Sequence, residues 1–282
     1  MIKKYTLRKK IRRLNNILTI FRRTQTYSPA VDKIDVVIPV VEKDIHILPL
    51  CLAGIKECVN HPIANIYIVA PETDALREFC IKENVSFVKE TDIFGFSPND
   101  MNIQVGIPKV NRSGWIFQQL IKLSGTVNTS RYFLVMDSDH ILLQPHTFIS
   151  SEKKLIFYYS SEYHEPYYRN IEKLMGKYPK SAFSYVAHKM IFDTKLLSEM
   201  KREIEQRHHT SWYKAIINSL DEKEISGFSE FELFGSYVPQ QDKILVPWQQ
   251  KALKYKYLDD YISLKKKYGE KYRAITFPHY IN

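Results

Sequence analysis

Asp137 and Asp139 sit one residue apart at the end of an apolar run, Tyr132-Phe133-Leu134-Val135-Met136, and are followed by His140. A run of this length and composition reads as a buried strand. Residues i and i+2 of a strand point to the same side. About 6 Å apart in an effective dielectric near 20, two ionised carboxylates repel by roughly 2–3 kcal/mol. A site that keeps both ionised needs a cation or strong hydrogen-bond donors. A divalent metal is the simplest such partner, and carboxylate together with phosphate oxygens suits Mg²⁺ or Mn²⁺. The bland alternative is a strand-end turn in which the acids cap free backbone groups.

The elements that must position this pair form an alternating series. Asp35 to Val41 reads as a first strand after a polar linker, Thr24 to Asp35, that contains Pro29. Leu48 to Val59 reads as a helix, Asn65 to Ala70 as a strand, Asp74 to Glu83 as a helix and Val85 to Val88 as a short strand. Arg112 to Leu123 reads as a helix that precedes the strand ending in Asp137. Such alternation predicts an α/β fold with a mostly parallel sheet, in which ligands sit beyond the carboxyl ends of the strands. The second half is less regular. Leu155 to Ser160 and Ala182 to Ala187 read as strands. Thr194 to Gln206, Ser211 to Leu220 and Ser229 to Tyr237 read as helices. There is no GxGxxG, no Walker-type loop and no internal repeat, so a bound nucleotide would be held by metal and side chains.

In this order, Val36-Val37-Ile38-Pro39-Val40, the strand closing on Asp137-Ser138-Asp139, and His188-Lys189-Met190-Ile191-Phe192-Asp193 with its following helix resemble the GT-A class of glycosyltransferases. Gly114 to Leu123 (GWIFQQLIKL) with Ser229-Glu230-Phe231-Glu232 resembles uncharacterised bacterial transferases of polysaccharide and lipopolysaccharide biosynthesis. The resemblance spans roughly residues 34–240. It implies a GT-A-like, Rossmann-like sheet flanked by helices and a nucleotide-sugar donor with Mn²⁺ or Mg²⁺. Asp139 would be a direct ligand, with Asp137 on the metal or the donor ribose and His279 as a third ligand. Pro39 and Val40, at the end of the first strand, would meet the donor. His188 and Lys189 would meet the acceptor. Glu230 or Glu232 would supply the base that takes the acceptor's proton. Against Glu232, Ser229-x-x-Glu232 is also a capping box. The adjacent Glu-Asp pair better known in that class is absent.

The helix from Arg112 has Ile116, Phe117, Leu120, Ile121 and Leu123 on its apolar face and Trp115, Gln118, Gln119 and Lys122 on the other. That second face either meets the donor, with amides for base or sugar and Lys122 or Arg112 for phosphate, or packs against the second half. A histidine satisfied within the structure is the alternative for His188. His208-His209 reads as a solvated helix boundary.

Composition narrows the classes further. With 44% hydrophobic and 26% charged residues, the chain of 282 residues is globular rather than disordered. Three cysteines without a CxxC spacing give neither a disulfide framework nor a structural zinc site, which fits a reducing compartment. The net charge of +10 suggests nucleic acid, but its distribution argues otherwise. Residues 1–25 hold nine basic residues and no acid, leaving 32 basic against 31 acidic in the rest. Leu7, Ile11, Leu14, Leu18 and Phe21 step by 4, 3, 4 and 3, a single helical stripe among those bases. A basic amphipathic helix fits an anionic membrane surface. It fits packing on the body or on another subunit as well, and nucleic acid least. No secretory apolar core and no run of about 18 apolar residues is present.

The expected organisation is an arm and linker over 1–30 and one GT-A-like domain over 31–282. The expected protein is a cytoplasmic enzyme, peripheral on the inner face of the membrane. It would move sugar from a nucleotide-sugar to a glycan or lipid-linked acceptor in cell-surface polysaccharide biosynthesis. Two other readings compete. In a haloacid-dehalogenase-type phosphatase the first Asp of the pair would be the nucleophile. The other is a non-catalytic binding protein on the membrane.

Overall fold

The computed structural model describes residues 26–160, 162–179 and 183–279. The amphipathic arm expected over residues 1–25 lies outside the described residues.

The first half alternates as its sequence predicts: β1 (Ile34–Pro39), α1 (Leu48–Cys58), β2 (Ile63–Ala70), α2 (Asp74–Glu83), β3 (Ser86–Lys89), α3 (Ser113–Ser124) and β4 (Tyr132–Met136). Local chemistry sets the boundaries. Pro49 opens α1 where its missing N–H costs nothing. Thr73 caps α2 by accepting from the Leu76 N–H, and Asn84 ends it in the left-handed region at φ 53°. A short Gln104–Val105/Val110–Asn111 hairpin leads into α3.

After β4 come β5 (His140–Leu142), β6 (Leu155–Tyr159), α4 (Glu165–Met175), β7 (Lys189–Asp193), α5 (Thr194–His208), α6 (Trp212–Ser219), α7 (Glu230–Tyr237), β8 (Lys243–Pro247), β9 (Gln250–Ala252), α8 (Tyr261–Tyr268) and β10 (Ala274–Thr276). The central sheet has the order β3-β2-β1-β4-β7. Its first four strands are parallel, and β7 runs antiparallel to β4 with Met136 opposite Lys189. β1 and β4 are buried along their whole length. This explains why they read as unbroken apolar runs: helices cover both faces of a parallel sheet. The chain is thus a mixed α/β fold with a mostly parallel sheet flanked by helices.

Two expected boundaries move. The run Phe183–Ala187 is not a strand; Ser184 makes only an isolated bridge to Ser160, and the ladder starts at Lys189. His188, at φ 59°, turns the chain into the left-handed region just before the ladder and so prevents an earlier start. The linker is also shorter than expected. Pro29 already bridges Ser150, and the Ala30 N–H donates to the Ile149 carbonyl.

A second, smaller core lies beside the main one: Ile47, Ile141, Leu143, Leu253, Leu264, Ile275 and Phe277. Burying each such side chain contributes about 1.5–3 kcal/mol. It joins the three-stranded sheet β9-β10-β5 to α8 and α1. Gly54 makes the α1–β5 approach possible, because a Cβ there would stand 2.8 Å from both Leu142 N and Leu142 O. The Tyr261 hydroxyl ties α8 down by donating to the Leu142 carbonyl at 3.2 Å. Among the described residues no helix is long and apolar enough to cross a membrane.

Candidate active site

β4 ends at Met136, and the two aspartates follow in a turn rather than on the strand itself. The His140 N–H donates back to the Asp137 carbonyl at 3.1 Å, closing Asp137–His140. The turn, not strand alternation, brings the acids together. His188 joins them from the start of β7. Its carbonyl accepts from the Asp137 N–H at 3.0 Å, and its Nδ1 lies 2.9 Å from Asp137 Oδ2. Asp137, Asp139 and His188 thereby offer three ligand atoms within 4.8 Å of one another, all from half-buried side chains. The left-handed backbone at His188, uncommon for a non-glycine residue, aims its ring at the turn.

Lys122, near the C-terminus of α3, reaches the same turn. Its ammonium donates to Asp137 Oδ1 at 2.6 Å and to Glu230 Oε1 at 2.7 Å. Gln119, one helical turn earlier, accepts from the Glu230 N–H at 3.2 Å. The residues beside Trp115 and Gln118 on that helix are therefore buried polar contacts to α7. Burial by itself would depress the Lys122 ammonium, but Asp137 and Glu230 outweigh it and hold it above its ordinary range. Burial opposes ionisation of Asp137 too. Lys122 and His188 overcome that and keep its carboxyl well below the usual carboxylate range. Asp139 behaves oppositely: burial first, and then the Asp137 charge, push it up. His188 is raised by its hydrogen bond and attraction to Asp137, against the effect of burial. One acid is thus paired on both oxygens, while for its neighbour the attraction of His188 and of the Thr276 hydroxyl does not outweigh burial and the Asp137 charge.

The other residues named from sequence fall in different places. Pro39 and Val40 are buried at the end of β1, next to β4 in the sheet, with Val40 N–H donating to Val69 O. Arg112 caps the far end of α3, about 15 Å from Lys122 at 1.5 Å per residue. Its Nε donates to the Ile225 carbonyl and its guanidinium lies 4.2 Å from the Trp115 ring centre. Glu232 points elsewhere. Its Oε1 accepts from Tyr168 OH, Ser184 Oγ and the Tyr185 N–H, so this carboxylate holds the segment before β7. Half of the capping box exists, in that Ser229 Oγ accepts from the Glu232 N–H. Lys189, the first residue of β7, reaches His140, whose ring stacks on His188 with centres 5.6 Å apart. It is 1% exposed, with Nζ 3.0 Å from His140 Nε2. Burial, then the nearby Arg273, drive its amine well below the ordinary lysine range.

His279 stands beside the site but outside the three-residue cluster. Its Nε2 lies 2.6 Å from Asp44 Oδ1 and 3.2 Å from Tyr255 OH, and the Tyr255 ring stacks on it. The chain reaches this point because the Phe277 N–H donates to the Asp139 carbonyl. Asp44, which sequence reading did not single out, is 8% exposed, accepts from Ser138 Oγ and adds to the upward push on Asp139. The signal was available: Asp44 follows β1, and β1 and β4 are sheet neighbours, so the segments leaving them meet. Cys51 Sγ contacts the Asp137 carbonyl at 3.8 Å, and burial, then the acids, push its thiol far up, which makes it inert. A separate cavity of about 580 Å³, walled in part by Ile171, Tyr185, Leu233, Tyr237 and Lys243, includes none of the cluster.

No protein of curated function matches the sequence. Among solved structures, the fold is similar to apo mouse xyloside xylosyltransferase 1 at 9% identity, over 89% of this chain and 99% of that one, with a TM-score of 0.47. Residues 31–267, most of the chain, match a family described as being of unknown function, and the chain belongs to that family, DUF6492.

Proposed function

We propose that the chain is a divalent-cation-dependent glycosyltransferase. It takes sugar from a nucleotide-sugar and passes it to a glycan or lipid-linked acceptor in cell-surface polysaccharide biosynthesis. Residues 1–25 would hold it to the inner face of the membrane. The observation that carries this reading is the convergence of Asp137, Asp139 and His188 within 4.8 Å, beyond the carboxyl end of a parallel strand. The donor set fits the cation. Two carboxylates suit Mg²⁺ or Mn²⁺, and an imidazole nitrogen favours Mn²⁺, the transition metal of the two; the raised Asp139 marks the charge that a cation would relieve. A bound cation would stabilise the negative charge that builds on a departing nucleoside diphosphate.

The chain's own groups supply the rest. Lys122 keeps Asp137 and Glu230 oriented in one hydrogen-bonded unit. Glu230, 4% exposed and one lysine away from the acid turn, is the carboxylate assigned to take the acceptor's proton. Asp44, His279 and Tyr255 close the opposite flank.

A thermal-shift panel of UDP-, GDP-, CMP- and dTDP-sugars, each with and without Mn²⁺, tests the proposal. A donor at 100 times its dissociation constant adds about 2.7 kcal/mol to stability. The expected result is a Mn²⁺-dependent shift with one nucleotide class, abolished by Asp139→Asn. No shift with any donor, or a full shift in Asp139→Asn, would overturn it. Turnover of a simple phosphomonoester without any donor would select the phosphatase reading instead.

A further inference from the structure

The segment from Lys251 to Arg273 carries eight basic residues against three acids, leaving 24 basic against 28 acidic elsewhere beyond residue 25. The body that looks balanced in sequence therefore concentrates its excess of basic residues in one segment. This segment folds as β9, the loop to α8, α8 itself and the turn into β10. Its inward residues are Leu253, Leu264 and the half-buried Tyr255, Leu258, Tyr261 and Tyr268, all packed in the smaller core. Lys251, Lys254, Lys256, Lys266, Lys267 and Lys271 are exposed.

The exposed lysines are interleaved with tyrosines. Lys256 and Lys267 approach the Tyr257 ring at 5.2 and 5.8 Å, and Lys267 approaches Tyr268 at 5.3 Å. Lys251 and Lys271 approach Tyr272 at 5.5 and 5.6 Å. The turn from Tyr268 to Tyr272 joins the two groups through the Tyr272 N–H to Tyr268 O bond. Among these charges stands Ile262, 77% exposed and four residues before Lys266 on the same face of α8. Tyr257 is 45% exposed. The three acids, Asp259, Asp260 and Glu270, offset only part of this charge and leave the segment at a net +5; Asp260 is also turned to cap α8 and takes both Ser263 donors. Among the described residues, Lys265 is the segment's one lysine in an ion pair, with Glu57.

We propose that this lysine–tyrosine face, with the exposed Ile262 beside it on α8, docks the folded body on an anionic phospholipid bilayer. Lysines near such a surface gain up to about 1 kcal/mol each, tyrosines favour the headgroup level, and an exposed isoleucine gains by entering the acyl boundary. Duplex nucleic acid would use the lysines but leave Ile262 without a partner. The face deepens the transferase reading and rests on it only for the acceptor. β10 leads directly to the Phe277–Asp139 bond, and Tyr255 touches His279, so a lipid-linked acceptor would meet the acid turn one layer from the bilayer.

The test is vesicle co-sedimentation of the full chain with mixed phosphatidylglycerol–phosphatidylcholine vesicles, pure phosphatidylcholine vesicles and a duplex DNA control. The triple variant Lys256→Gln/Lys266→Gln/Lys267→Gln should lose at least about tenfold in partitioning to the anionic vesicles. Ile262→Ser, which changes no charge, should lose about threefold or more. Both should melt as the parent does, since the altered side chains are exposed. Unchanged vesicle binding in either variant overturns the proposal, as does loss of DNA binding with vesicle binding intact. The donor thermal shift, read in the same variants, separates the two readings. A vesicle defect in a chain that binds no nucleotide-sugar supports the docking face and removes the transferase.

Discussion

Replacing Lys122 with Met deletes the one cation that bridges Asp137 and Glu230, at 2.6 and 2.7 Å. Their side chains are 27% and 5% exposed, against 10% for Lys122 itself. Removing one partner of a buried ion pair costs about 3–5 kcal/mol. Asp137 keeps His188 and some solvent, which places the loss near 3 kcal/mol. With a urea slope of about 2–3 kcal/mol/M for a domain this large, the midpoint should fall by about 1–1.5 M.

The pH dependence makes the prediction specific. In the parent, the Asp137 carboxyl is held below its unfolded value, so its contribution is full above about pH 4 and fades as pH falls through the folded value. Lys122 is raised, so its contribution is full below its unfolded value near 10.4 and fades only at more alkaline pH. Between those limits neither Asp137 nor Lys122 titrates; His188, raised above its ordinary range by Asp137, adds stability that is full below its unfolded value and fades as pH rises through its folded value, in parent and variant alike. In Lys122→Met, two desolvated carboxylates face each other with only His188 left on Asp137; the affinity of the site for protons rises, His188 included because Lys122 no longer opposes its charge, and acidification stabilises the fold. The gap between variant and parent should shrink from pH 8 to pH 5.5 in EDTA-containing buffer. A loss under about 1 kcal/mol, or a gap that is the same at both pH values, would refute the triad as a buried electrostatic unit.

Gly54→Ala places a methyl against the Leu142 backbone and should destabilise by about 1–3 kcal/mol, read as a lower melting temperature, because backbone atoms cannot yield as a side chain would. Glu230→Gln keeps a hydrogen-bond acceptor for Lys122 but loses the basic oxygen. The donor thermal shift should persist while transfer drops by about 10²-fold or more; a loss of donor binding with normal turnover would remove Glu230 as the base.

The parallel half was readable because β1 and β4 are continuous buried apolar runs and α1 and α3 carry full apolar faces. Ile116, Phe117, Leu120, Ile121 and Leu123 are all buried, as their spacing required. What that spacing could not show is that Gln119 and Lys122 are buried too, since their partner, Glu230, arrives from far along the chain. The strands β8, β9 and β10 have five, three and three residues; β8 and β9 each hold a lysine and β10 is only Ala-Ile-Thr, too short a pattern to register. Helix α4 escaped notice because only Tyr168, Ile171 and Leu174 mark its buried apolar stripe between charged neighbours. The acid pair was legible as chemistry, but its geometry was not. A turn, His188 in a left-handed conformation and a lysine from α3 assemble it, and none of these leaves a local signature.

The order in which the chain is made gives the C-terminal strand a further meaning. Asp44 and His279 are separated by 235 residues, and Tyr261 reaches back 119 residues to Leu142. A growing polypeptide can therefore finish its parallel sheet and set Asp137 and Asp139 side by side long before β10 emerges from the ribosome. Until then the acid turn lacks its flanking wall and β5 has an unpaired edge. The wall beside the acid turn therefore waits for β10 and His279, so products that stop before β10 would carry the acids but not that wall.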